Sequence, residues 1–188
     1  MKRLQPGLAA QAAVVAVQLA RRGIRGPHGV FEGIDGFFRV YLQDRVSGDD
    51  VRADLGTRFE LLNLSYKPYP CCRDTHAAVD AVFELRAEAQ RPAGDIESIR
   101  IGLTAPGYQM VCVPEHVRVA PRTVVEAQFS IPYTVATSWI DGKLGIGHFT
   151  DEALRRHDVL ELASRVKPFV DEELDRDWRR FVTPAKVI

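Results

Sequence analysis

The sequence predicts a mixed α+β fold, because segments with the apolar spacing of helices accompany a segment with the alternation of a strand. Between residues 97 and 103, Ile99, Ile101 and Leu103 alternate with polar or small residues, which is the pattern of a half-buried strand. Apolar residues recur every three to four positions in residues 78–85 and 124–140, and an alanine-rich run over residues 8–22 also predicts a helix. We therefore expect helices packed on a small sheet.

Composition excludes several classes of function. With 188 residues, of which 46% are apolar, the chain can bury a core in one or two domains. Its 25 basic and 25 acidic residues leave no long-range field, which argues against a nucleic-acid or membrane-surface partner but allows a local cationic pocket. Cys71, Cys72 and Cys112 match no paired zinc spacing, so we expect reduced thiols and a cytoplasmic location.

The N-terminal segment predicts a helix rather than a targeting signal. A charged start before the apolar run 8–20 resembles a secretory signal, but Gln11 and Gln18 interrupt that run. The run is also shorter than the roughly 20 apolar residues that cross a bilayer. We expect instead an alanine-rich helix over residues 8–22, closed at Gly23, whose small side chains suit close packing against another helix.

The most informative segment is residues 67–80, with the sequence KPYPCCRDTHAAVD. Each proline fixes its own φ and biases the preceding residue toward extended geometry, so residues 67–70 cannot be helical and read as the end of a strand over 59–66. Asp74 and Thr75 are then placed to cap a helix that buries the apolar face of residues 78–85.

Charged groups cluster where this helix starts. The first backbone N–H groups of a helix attract anions, and Lys67, Arg73 and His76 add side-chain donors nearby. An imidazole with an ordinary pKa of about 6.5 can also move protons at neutral pH. The segment is therefore interpreted as a carboxylate-binding corner, and the alternative is a solvated loop with one capping aspartate.

Proline positions decide the interpretation of the second half of the chain. The helix predicted over residues 124–140 should end at Gly142 and should kink or break near Gln128, since Pro132 removes a backbone hydrogen bond. Residues 105–122 contain several prolines and are expected to form a loop or an interrupted strand.

Three further side chains stand in predicted loops or turns. Tyr108 and His116 lie in the proline-rich stretch and are candidates for a functional loop. Thr150 is expected to cap a short helical turn after His148, a structural role.

Three blocks of the sequence resemble the MmgE/PrpD family, whose members include 2-methylcitrate dehydratases, cis-aconitate decarboxylases and related lyases and epimerases. Residues 67–80 are similar to the family signature KPYPxCRxxHxxxDA. The opening block, KRLQPGLAAQAAVVAVQLARRGIRGPHGVFEGIDGFF, resembles the family's K-x-L-x-x-G-x-A-A stretch together with its LA-x-x-G-x-x-G-P and EG-x-x-GF motifs. The block EAQFSIPYTVATSWIDGKLGIGHFTDEAL resembles the family's late helix and acidic turn.

The resemblance implies a domain organisation. Residues 1–45 correspond to the last helices of a helical domain, residues 46–58 to a linker, and residues 59–188 to an α+β lid domain with a small sheet packed on helices. In the family an earlier helical region supplies most of the acid and base residues, and the terminal RFVTPAKVI begins a strand that relatives continue. We therefore expect a fragment that is inactive without the N-terminal half.

The resemblance also implies a function and a site. The expected activity is that of a cofactor-independent lyase on a di- or tricarboxylic acid, similar to 2-methylcitrate dehydratase of propionate metabolism. The alternative is a non-catalytic orphan domain for carboxylate binding or dimer contacts. His76 and Tyr108 are the expected catalytic residues, and Lys2, Lys67 and Arg73 the expected substrate-binding residues. The family implies no cofactor and no metal, and its partners would be a homodimer mate or a complementary N-terminal half.

Overall fold

The computed structural model describes residues 4–176 and 184–188 and shows the mixed α+β architecture that the sequence predicts. The chain divides into two compact units, Met1–Ser65 and Tyr66–Ile188. Within the first unit lie three α-helices and one 3-10 helix: α1 Gln5–Arg21, α2 Phe37–Leu42, α3 Gly48–Arg52 and the 3-10 helix Glu60–Asn63.

The first unit confirms the predicted N-terminal helix but buries little. α1 ends at Arg21, and Gly23 follows with a φ of 89°, a left-handed conformation that glycine adopts without strain. Among the described residues of this unit, only Gly36 and Gly48 are buried. No helix in the described part of the chain combines the length and apolar character needed to cross a membrane.

The second unit contains the sheet, the core and the segment with the family signature. It begins with a 3-10 helix over Arg73–Thr75. The other helices and strands are α4 His76–Ala89, the 3-10 helix Ala93–Asp95, β1 Ile99–Leu103, α5 Ala105–Cys112, α6 Glu115–Val119, α7 Val124–Gln128, α8 Ile131–Asp141, the 3-10 helices Ile146–His148 and Ala153–Arg155, α9 His157–Arg165, β2 Val166–Val170, α10 Glu172–Arg176 and β3 Ala185–Val187.

Among the described residues, the sheet has three strands in the order β2-β1-β3. β1 pairs with β2 in parallel, with Ile99 opposite Val166, and with β3 in antiparallel fashion, with Ile101 opposite Val187. The isoleucines and Leu103 of β1 are buried whereas Arg100 is exposed, which confirms the predicted half-buried strand. Each buried face of this kind stabilises the fold in proportion to the apolar area removed from water.

The break predicted from Pro132 is confirmed. α7 ends at Gln128 and α8 begins at Ile131, so Pro132 falls in the first turn of α8, where a missing N–H leaves no helical hydrogen bond unmade. Ser130 caps the new helix, because its Oγ accepts a hydrogen bond from the Tyr133 N–H at 3.0 Å. The helix ends at Gly142, as predicted, with a φ of 63°.

α8 lies at the centre of the core. All its residues from Ile131 to Trp139 are buried, and it packs against α4, α9 and β2. Two of its buried hydroxyl groups are satisfied within the helix, since Thr134 and Ser138 each donate a 2.7 Å bond to the backbone carbonyl four residues earlier. Burial on every side explains the apolar character of this helix.

The strand predicted over residues 59–66 is wrong. The segment forms the 3-10 helix Glu60–Asn63 and then extended chain outside the sheet. Its leucines are exposed, 83% in the case of Leu62. A short apolar run becomes a strand only where another strand pairs with it, and here the Asn63 amide instead makes a local 3.0 Å hydrogen bond to Glu60.

The loop predicted over residues 105–122 is also wrong, because this stretch forms α5 and α6. Thr104 caps α5 by accepting a hydrogen bond from the Gly107 N–H at 3.2 Å. Pro106 then occupies the first turn, where proline favours a helix rather than breaking it.

Candidate functional site

The family signature is anchored to α7 before it enters α4. The Cys72 N–H donates to the Gln128 carbonyl at 2.7 Å, and the Gln128 side-chain amide donates to the Pro70 carbonyl at 2.8 Å. The predicted side-chain caps from Asp74 and Thr75 are wrong, because the chain enters α4 through a 3-10 turn without a capping side chain. The Thr75 hydroxyl instead donates to the Cys72 carbonyl at 2.8 Å.

Lys67 and His76 converge on the Cys71 backbone. The Lys67 ammonium donates to the Cys71 carbonyl at 3.1 Å. The His76 imidazole also hydrogen-bonds to the Cys71 backbone. Nε2 of this ring is buried and has no hydrogen-bond partner among the described residues. Two elements that flank the turn therefore meet at the backbone of one residue.

The charges of Lys67 and Arg73 act on the buried His76 ring. The residue is 8% exposed, and burial is the main cause that lowers the pKa of its imidazole. The bond to the Cys71 backbone opposes this, the charges of Lys67 and Arg73 lower the pKa further, and Asp80 raises it. The structure thus brings Lys67, Arg73 and His76 together and keeps the imidazole neutral at neutral pH.

Tyr69 packs directly against His76. The two rings meet edge to face, with centroids 5.3 Å apart and an angle of 80° between their planes. The Tyr69 hydroxyl donates a short hydrogen bond to the Asp80 carboxylate. Burial, with a further contribution from Asp80, raises the pKa of Tyr69 to about 12, so the phenol stays protonated. The sequence analysis missed this pair, although Asp80 stands one helical turn after His76.

Burial raises the pKa of both cysteines of the signature. Cys71 is buried, and its sulfur lies 3.0 Å from the Thr75 hydroxyl. Burial raises the pKa of Cys71 to about 11 and also raises the pKa of Cys72. Since the thiolate is the nucleophilic form, neither residue is suited to covalent catalysis near neutral pH.

The remaining candidate residues from the sequence are Tyr108, His116 and Lys2. Tyr108 is half-buried against the core on α5, and α5 packs against the 3-10 turn Arg73–Thr75. His116 is exposed on α6. Lys2 lies outside the residues that the structure describes.

A second charged cluster lines a cavity of about 630 Å³ beyond the end of α8. Arg156 binds the Asp141 carboxylate with two nitrogens, at 2.5 and 3.0 Å, and also pairs with Asp158. His148 accepts from the Gly145 N–H at 2.9 Å through Nδ1, and its Nε2 lies 3.2 Å from Asp141.

These groups satisfy one another, which supports a structural role in joining α8 to α9. Sequence reasoning missed the cluster apart from assigning His148 to a structural turn.

The chemistry of the signature site follows from its contents. It presents two cations, a neutral imidazole with one free nitrogen, and the positive end of the 14-residue helix α4. Within residues 4–176 and 184–188, no group of three or more His, Cys, Asp or Glu side chains is placed to hold a metal ion. The arrangement suits a carboxylate and a proton transfer beside it.

The two halves of the chain match two models of one protein family. Residues 69–187 match the MmgE/PrpD C-terminal domain, and residues 1–48 match the MmgE/PrpD N-terminal domain. The chain belongs to the MmgE/PrpD family.

Three similar curated proteins are cis-aconitate decarboxylases. Two are from Aspergillus terreus, and the one from strain NIH 2624 / FGSC A1156 is 27% identical over 191 residues, covering 94% of this chain and 38% of that protein. The third, from Mus musculus, is 30% identical over 175 residues, covering 88% of this chain and 34% of that protein. The chain therefore spans less than two fifths of the length of these relatives.

Proposed function

We propose that this chain forms the carboxylate-binding part of a cofactor-independent lyase that acts on a di- or tricarboxylic acid. The observation that carries the proposal is the grouping of Lys67 and Arg73 around a buried, neutral His76 whose Nε2 has no partner among the described residues. Family membership supports it, since the curated relatives are named as decarboxylases of a tricarboxylic acid.

The chemistry of such lyases needs the groups that this site offers. Dehydration removes a proton next to a carboxylate and expels hydroxide, whereas decarboxylation leaves an electron pair on carbon that a proton must quench. Both reactions build up negative charge next to a carboxylate, and fixed cations stabilise that charge. A proton-handling group beside two cations serves either reaction.

Each residue then takes a specific role. Lys67 and Arg73 bind substrate carboxylates, and the neutral His76 accepts or returns a proton through Nε2. Because burial and the two cations disfavour the imidazolium form, a protonated His76 is a stronger acid than an ordinary imidazolium and gives its proton to carbon more readily. Tyr108 is the proposed second proton donor, and Lys2 a further carboxylate ligand.

The names of the relatives favour cis-aconitate as the first substrate to test. A 2-methylcitrate dehydratase activity, with its place in propionate metabolism, is the alternative within the family. The two reactions differ in their products, an unsaturated dicarboxylate with CO₂ against an unsaturated tricarboxylate with water, so one product analysis separates them.

Exposed apolar side chains in the first unit support the proposal that another polypeptide binds there. They include Val14, Val17, Phe31 and Leu55, each more than half exposed. We propose that a second copy of the chain or a complementary polypeptide covers them and contributes further acid and base groups. The same observation favours the second candidate function, a non-catalytic domain for dimer contacts or carboxylate binding.

Turnover assays distinguish these functions. The chain is assayed alone and together with any family N-terminal polypeptide encoded directly upstream of it, with cis-aconitate or 2-methylcitrate as substrate and product detection by mass spectrometry. The proposal predicts turnover in the mixture that Lys67→Met abolishes or strongly reduces and that Lys143→Met leaves unchanged. Absence of turnover in both samples would overturn the lyase and leave the binding domain.

A further inference from the structure

We infer that Tyr69 and Asp80 form a positioning pair for His76, in which the hydrogen bond between them holds the Tyr69 ring against the imidazole and fixes its orientation. The inference concerns the site of the proposed function and rests on that function only where it predicts a kinetic effect. Neither residue belongs to the set predicted from the sequence.

The pair joins the two elements on either side of His76. Tyr69 lies in the extended segment before the 3-10 turn, whereas Asp80 stands on α4 four residues after His76 and so on the same side of the helix. The Tyr69 ring also packs against Phe83, with centroids 5.9 Å apart. Held at its hydroxyl and along its ring, Tyr69 has little freedom to rotate away from the imidazole.

His76 needs such support because its ring has one hydrogen-bonded nitrogen. His148 shows the contrast, since both of its ring nitrogens contact fixed groups, the Gly145 N–H and the Asp141 carboxylate. Since no hydrogen bond holds Nε2, the edge-to-face contact with Tyr69 is what restricts rotation of the imidazole. Free Nε2 is then held in one place for a substrate.

The Tyr69–Asp80 hydrogen bond also decides which group the Asp80 carboxylate pairs with. Of the charged groups in the described part of the chain that act on His76, Lys67 and Arg73 disfavour the imidazolium and Asp80 favours it. While the Asp80 carboxylate accepts a hydrogen bond from the Tyr69 hydroxyl, it is held beside the phenol. The phenol stays protonated at working pH, so it remains a donor throughout. Removal of the hydroxyl frees Asp80 to pair with the imidazole.

The test is a pH titration of ¹⁵N-histidine-labelled protein, observed at the imidazole nitrogens. In the unaltered chain we expect His76 to show two well-separated ¹⁵N shifts, the signature of one neutral tautomer. In Tyr69→Phe the separation should shrink as the ring samples both tautomers, and the pKa of His76 should rise. In Asp80→Asn the separation should also shrink, but the pKa of His76 should not rise because the charge is gone.

Tyr66→Phe is the matched control, because Tyr66 lies in the same extended segment and is 83% exposed. It should leave the His76 signals unchanged. Identical His76 signals in Tyr69→Phe and the unaltered chain would overturn the inference, whatever the turnover assays show. In an active assembly, Tyr69→Phe should lower kcat about tenfold and change KM less than about twofold, as expected for misplacement of a proton-transfer group. Equal effects on kcat and KM would contradict a positioning role.

Discussion

Replacement of Lys67 by methionine should weaken the binding of a tricarboxylate. The Lys67 ammonium lies 3.1 Å from the Cys71 carbonyl, and its charge acts on His76 across the same turn. A hydrogen bond to a charged group contributes about 1.5–3 kcal/mol, and about 1.4 kcal/mol corresponds to a factor of ten in Kd. Because Lys67 is exposed to solvent and salt, we expect the lower half of this range, a loss of about tenfold to fortyfold.

Isothermal titration calorimetry with cis-aconitate measures this loss at low and at moderate salt. Lys143→Met is the control, because Lys143 lines the cavity of the Asp141 cluster instead. The difference between the two variants should shrink as salt rises, since screening weakens exposed charge pairs. Equal loss in both variants, or no saturable binding by the unaltered chain, would refute the assignment of Lys67 to the carboxylate site.

Three further predictions concern stability and reactivity. Ser130→Ala should lower the free energy of unfolding by about 2–3 kcal/mol in urea titrations, because it removes a helix cap and leaves buried backbone groups unpaired. Thr123→Ala, which removes an exposed cap, should cost about 1 kcal/mol. Equal losses in the two variants would contradict the explanation of the α7–α8 break. As the pH is lowered below about 6.5, His76 in the unfolded chain binds a proton before His76 in the folded chain does. The free energy of unfolding should therefore fall by up to about 1.4 kcal/mol per pH unit, and His76→Gln should flatten that fall. An unchanged dependence on pH in the variant would refute the lowered pKa. Iodoacetamide should alkylate Cys72 much more slowly at pH 7.5 than a free cysteine, because its pKa is raised, and rapid alkylation would contradict this environment.

Elements governed by local chemistry could be predicted from the sequence. The strand β1 followed from its alternation, and the break before α8 followed from the missing N–H of Pro132. Pro106 misled the prediction because the effect of a proline depends on its position within a helix, and here Thr104 places it in a first turn. The leucines of residues 59–66 misled it because pairing with another strand, which the local sequence does not encode, decides whether a strand forms.

In the candidate site, too, contacts within one turn could be predicted from the sequence, whereas contacts between distant segments could not. Lys67, Arg73 and His76 lie within ten residues of sequence at the start of one helix, so their proximity could be predicted from the turn alone. The Tyr69–Asp80 bond depends on how the extended segment folds back onto α4, which no local pattern encodes. The pairing of Asp141 with Arg156, 15 residues apart, likewise depends on the return of the chain from α8 to α9.

Observation of the His76 imidazole during a ligand titration tests most directly whether the signature forms a carboxylate site. Tricarballylate, a saturated tricarboxylate, is added to ¹⁵N-histidine-labelled protein at pH 7.5. We predict a saturable change in the His76 Nε2 shift, with no change at His148, whose ring nitrogens are already engaged. A His76 signal that stays constant as the ligand is added, or a change confined to His148, would contradict the proposed carboxylate site.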